Sequence, residues 1–92
     1  MAVYMIGYDL HPVRGETYNE LIEAIKNLGA WWHCLDSTWL VISNLTAVQV
    51  RDALWRHMKA DDQLLVMTHV HGSVVAWNGF NTNCSDWLKA NL

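Results

Sequence analysis

Three side chains able to do chemistry stand close together near the start of the chain: the carboxylate of Asp9, the imidazole of His11 and the guanidinium of Arg14. A carboxylate is the hard oxygen ligand that Mg2+ or Mn2+ prefers. An imidazole, with an ordinary pKa near ~6.5, suits proton transfer at neutral pH. A guanidinium matches the geometry of phosphate. These chemistries make Asp9 and His11 candidate catalytic residues, Asp9 a candidate metal ligand, and Arg14 a candidate phosphate contact. The competing assignments are a strand-end Asp accepting loop N–H groups and two solvated loop residues. Tyr8, Trp32 and Trp39 are aromatic surfaces on which a base or a nucleotide could stack, worth roughly 1–3 kcal/mol per base. Packing in a dimer interface is their alternative use.

His69 and His71 alternate along an apolar run, which places both on one face of a strand. His-x-His on a strand is a two-ligand arrangement for Zn or Ni, with His33, Cys34 or Cys84 open as a third ligand. Half-buried edge histidines are the other assignment. Cys34 and Cys84 have no short spacing, hence no zinc motif and no disulfide framework; reduced thiols in a cytoplasmic protein are expected. The chain carries no Gly-rich phosphate loop, nucleophile elbow or kinase element.

The elements that must hold these residues follow from periodicity. Ala2–Asp9 is an apolar run closed by Pro12 and Gly15, so it reads as a buried strand with Asp9 at its carboxyl end. A helix opens near Glu16 or Thr17; its stripe is Tyr18, Leu21, Ile22, Ile25 and Leu28, and Gly29 closes it. Ala30–Leu35 and Thr38–Ser43 form a hairpin across Asp36-Ser37. In its second strand Trp39, Val41 and Ser43 face one way and Thr38, Leu40 and Ile42 the other. Thr46 and Gln49 predict a capping box for a second helix on Ala47, Val50, Leu54 and Met58, with Leu45 and Val50 as its hydrophobic staple. Leu64–Val70 is a fourth strand, Val74–Trp77 a short fifth, and Ser85 caps a terminal helical turn. The order is β-α-β-β-α-β plus these additions. It predicts a single α+β domain over residues 1–92, a ferredoxin-like sandwich with both helices on one face of an antiparallel sheet.

Composition sets the limits. The chain has 92 residues, 52% hydrophobic but only 16% charged, with six Trp and a net charge of −3. A charged fraction so far below the usual ~25% implies apolar surface covered by a second copy. Six Lys and Arg form no basic stripe, which disfavours tight duplex binding by a monomer. The first apolar run is too short to cross a bilayer and has no basic flank, so a cytoplasmic protein without membrane attachment is expected.

The strand Tyr4–Asp9, the helix closing on Leu28-Gly29, the hairpin Trp32–Leu35 and Thr38–Ile42, Leu45–Val50 and Asp61–Leu64 together resemble the layout of the small CRISPR-associated spacer-acquisition nucleases. VapD-type ribonucleases share that layout, and stand-alone proteins of the SinR family resemble the chain over nearly its whole length. The resemblance is one of architecture and element order. It implies a ferredoxin-like homodimer in which the first-strand Asp, here Asp9, is the metal ligand from each subunit across the dimer axis. The group usually carries an Arg-rich helix start, and this chain has only Arg14; its hairpin is instead rich in Trp. The expected function is therefore a dimeric module binding a nucleotide or short nucleic acid with little or no cleavage. A metal-dependent endoribonuclease using paired Asp9 residues, and a protein-binding regulator without an active site, are the alternatives.

Overall fold

The computed structural model describes residues 1–92. Along the chain it has strand β1 (Ala2–Asp9), helix α1 (Asn19–Lys26), strands β2 (Trp31–Leu35) and β3 (Thr38–Ser43), helix α2 (Ala47–Trp55), strand β4 (Gln63–His69) and helix α3 (Thr82–Asn91). The strands form one antiparallel sheet in the order β2-β3-β1-β4. It is a small α+β fold with β1 and β3 at the centre.

The sheet's first face carries the core. Tyr4, Ile6, Trp39 and Val41 pack there against Leu21 and Ile25 of α1 and Val50 and Leu54 of α2. The expected alternation in β3 holds: Trp39, Val41 and Ser43 are buried, while Thr38, Leu40 and Ile42 face the other side. The second face carries Met5, Leu40 and Met67, with Trp32 beside them. The segment 70–81 and α3 run over this face.

Helix α2 starts as its sequence dictates. The Thr46 hydroxyl accepts the Gln49 N–H, and the Gln49 side chain accepts the Thr46 N–H. Helix α1 starts later than expected, at Asn19, because Tyr18 adopts a left-handed conformation (φ 54°) and cannot belong to it. Gly29 follows α1 with φ 154°, and a Cβ there would lie 2.0 Å from the Ile42 carbonyl oxygen. Only glycine lets the chain approach β3 so closely.

Two expectations are corrected. Val74–Trp77 is not a strand; it joins neither edge of the sheet and lines the second face as irregular chain. The last helix is longer than a turn or two: Asn81 caps it by accepting the Cys84 N–H at 2.9 Å, and it extends over ten residues.

The expectation of reduced thiols is also overturned. Cys34 and Cys84 form a disulfide across a sequence separation of 50. Strand β2 is bulged between Trp32 and Leu35. A bulge re-aims side chains, and here Cys34 reaches α3 while Leu35 lines the second face. No helix is long and apolar enough to cross a membrane.

Candidate functional site

The carboxyl end of β1 gathers the polar chemistry of the molecule. Its neighbours are the Asp36-Ser37 turn, through the Tyr8 N–H on the Ser37 carbonyl at 3.1 Å, and the start of β4, where Asp9 is paired with Gln63. The loop leaving β1 carries His11, Arg14 and Glu16 along this rim, and Tyr18, Lys59 and Asp62 close it from below.

Asp62 organises the rim. Its carboxylate is buried and accepts the His11 N–H at 2.8 Å, the Lys59 N–H at 2.8 Å and the Tyr18 hydroxyl at 2.8 and 2.9 Å. Burial alone would push this carboxyl up. The two N–H donors, the phenol and the Lys59 charge outweigh burial and hold it below its ordinary value. Lys59 in turn donates to the Glu16 carboxylate at 2.6 Å and to the His11 carbonyl. That hydrogen bond lowers the Glu16 pKa, helped by the Val13 N–H, and it raises the Lys59 pKa against the cost of burial. The Tyr18 phenol is pushed up, first by burial and then by its bond to Asp62. The left-handed Tyr18 is thus held by its own hydroxyl.

The result is a fixed β1–α1 loop whose backbone is bonded inward at His11. The side chains of Asp9, His11 and Arg14 are exposed, and Asp9 and Arg14 make no hydrogen bond or ion pair within the chain. Asp9 fits one ligand of a divalent-cation site, since its oxygens face no competing donor. It does not make a site by itself, and no cluster of three His, Cys, Asp or Glu side chains occurs.

The aromatic candidates divide between the two faces. Trp39 is 1% exposed, in the core. Its indole N–H donates to the Tyr8 hydroxyl at 3.0 Å, and that hydroxyl reaches the Asp36 carbonyl at 3.4 Å. His33, expected only as a candidate third metal ligand, stacks on Trp39 with ring centroids 3.7 Å apart and planes 9° apart. Its Nε2 lies 3.1 Å from the same Asp36 carbonyl. His33 is exposed, so its ring covers the buried indole on one side and meets solvent on the other. Trp31, tilted on Trp39 at 5.3 Å with the Lys26 ammonium 5.2 Å from its ring, extends this aromatic edge. Trp32 lies on the opposite face, where its indole N–H donates to the Cys84 carbonyl at 3.1 Å and Phe80 meets it edge-on.

His69 and His71 do come together, edge to face with centroids 5.4 Å apart. The two cysteines that stood open as a third ligand are bonded to each other. No protein-family model matches the chain, and no solved structure matches it.

Proposed function

We propose that the chain is a ferredoxin-like module of the CRISPR-associated and VapD type, that it pairs with a second copy, and that it binds a nucleotide or a short RNA at the rim of β1. The observation that carries this reading is the exposed His33 ring stacked on buried Trp39. A base laid on His33 would continue a stack already anchored in the core. Tyr8 ties that stack to the strand ending in Asp9, and Arg14 stands in the adjoining loop as a phosphate contact. Asp9 from each of two copies would supply two carboxylates to hold Mg2+ or Mn2+, whose charge would favour a phosphate nearby. Pairing is supported by the apolar edge of β4, where Leu65 is 54% exposed beside Val48 at 55%. In a cytoplasmic location the Cys34–Cys84 bond would meet a reducing thiol pool, so its persistence in cell extracts also tests that location.

Titration of Trp fluorescence with mono-, cyclic and oligonucleotides tests binding. Quenching that weakens about tenfold in His33→Ala, matching the loss of one stacked base, is the expected result. No quenching by any of them would overturn the reading.

A second reading, metal-dependent cleavage of RNA, is favoured by the unpaired carboxylate of Asp9. A metal would then activate water at that position. Equal RNA cleavage by wild type and Asp9→Asn in Mg2+ or Mn2+ would remove Asp9 from that role. Leu65→Lys is expected to shift sedimentation equilibrium from dimer to monomer.

A further inference from the structure

The second face of the sheet holds a cleft of about 680 Å3 that the rim chemistry does not use. Its floor is Met5, Leu40 and Met67; its walls are Trp32 from β2, Trp77 and Phe80 from the segment 70–81, and Leu88 from α3. Thirteen of its eighteen lining residues are hydrophobic, and none is Asp, Glu, Lys or Arg. The volume and the lining suit a small organic ligand rather than water. One polar feature interrupts the apolar surface. His69 lines the cleft, and its Nε2 is the only buried side-chain nitrogen or oxygen in the molecule without a hydrogen-bond partner. Buried polar groups are almost always partnered, so an orphan on the wall of an apolar cleft marks where a ligand's polar atom belongs.

From this juxtaposition we propose that the cleft binds an amphipathic small molecule, an apolar chain or ring ending in a carboxylate. The apolar body lies on Met5, Leu40 and Met67 between Trp32 and Trp77. A small turn of the His69 ring brings its Nε2, closed to water in the unliganded chain, onto the cleft wall, where the carboxylate accepts its N–H with the His71 imidazole edge-on beside it. The proposal is independent of nucleotide binding at the rim, which uses the carboxyl end of β1 and, on β2 and β3, the opposite face of the sheet.

Calorimetric titration of the intact chain with decanoate, kept below its micelle concentration, tests it. One molecule should bind per chain. His69→Leu removes the orphan without removing a bond within the protein, so it should fold normally and weaken decanoate about tenfold. Met67→Trp, at a half-exposed position, should fill the cleft and abolish binding. Absence of decanoate binding to wild type would overturn the proposal, as would equal affinity in His69→Leu. It would also fall if Met67→Trp left decanoate binding unchanged. If Met67→Trp instead abolished self-association in sedimentation equilibrium and decanoate bound nowhere, the cleft would be an interface between copies and the proposal would again fail.

Discussion

The disulfide offers the most direct quantitative test, because its expected contribution follows from where it sits in the chain. Cys34 and Cys84 are separated by 50 residues. Closing a loop of that length removes about 14 cal/mol/K of entropy from the unfolded chain, or about 4 kcal/mol at 25 °C. A domain of this size is stable by only about 5–15 kcal/mol. Reduction should therefore remove a large share of its stability and lower the melting temperature by roughly 15–30 °C. The assay is urea unfolding followed by Trp fluorescence, with and without phosphine reductant, and with the Cys34→Ser/Cys84→Ser double variant as the control that reductant cannot affect. The reduced chain and the variant should share one midpoint, well below that of the oxidised chain. Their denaturant slope should be steeper, since an uncrosslinked unfolded chain exposes more surface. Hydrogen exchange should quicken first in α3, which the bond ties to β2. A loss below ~1 kcal/mol in both would refute the chain-entropy reasoning. Free thiols titrating in the unreduced native protein would refute the bond itself.

Other substitutions test the framework of the rim and the core. Gly29→Ala would drive a Cβ into the Ile42 carbonyl and should cost on the order of 2–4 kcal/mol in urea unfolding; a neutral result would mean that the helix-to-strand turn can shift. Thr46→Ala removes a complete capping box and should cost ~1 kcal/mol. Asp62 and Glu16 have lowered pKa values in the folded state, so the stability they contribute is present above the ordinary carboxylate range and is lost as pH falls through their folded values. Asp62→Asn should flatten the acid limb of a stability-against-pH curve and free the His11 loop to protease. Lys59 and Tyr18 are raised, so their contribution is present below pH about 10 and is lost as pH rises through their folded values. Lys59→Met should remove part of that alkaline limb.

The sequence made legible what local periodicity controls. The first strand, the hairpin with its two-faced second strand, and the capping box at Thr46 all follow from spacing of two or from helical spacing, and all are present. What it concealed depends on contacts between distant segments. Nothing in Asp61-Asp62 says which carboxylate is buried, because the donors that select Asp62 come from His11 and Tyr18, 51 and 44 residues away. The same holds for the disulfide, whose geometry exists only because β2 bulges and α3 folds back. Val74–Trp77 has strand-like residues but lies over the second face instead of along an edge of the sheet. Among the site residues, Asp9, His11 and Arg14 do share one loop region, while Trp32 is carried to the far face by the alternation that puts Trp31 toward the helices. His33 could have been found by noting that it alternates with Trp31 on the strand facing Trp39.

The six tryptophans explain how so small a chain maintains two distinct surfaces. Trp39 fills the core, where a large ring replaces several aliphatic side chains and at the same time backs the exposed His33. Trp32 and Trp77 act in the opposite way. They stand as walls on a face covered only by the segment 70–81 and α3, and each directs its indole N–H to α3, at the Cys84 carbonyl and the Ser85 hydroxyl. Their polar edges are thereby satisfied and their apolar faces remain for the cleft. Without the disulfide, α3 would be held to the sheet by little more than those bonds and the buried Leu88. The covalent link therefore bears on the cleft more than on the rim, which has its own fastening in Asp62. Reduction should loosen α3 and impair decanoate binding while leaving nucleotide quenching at His33 unchanged; a common loss of both would mean that the two surfaces depend on one cooperative unit.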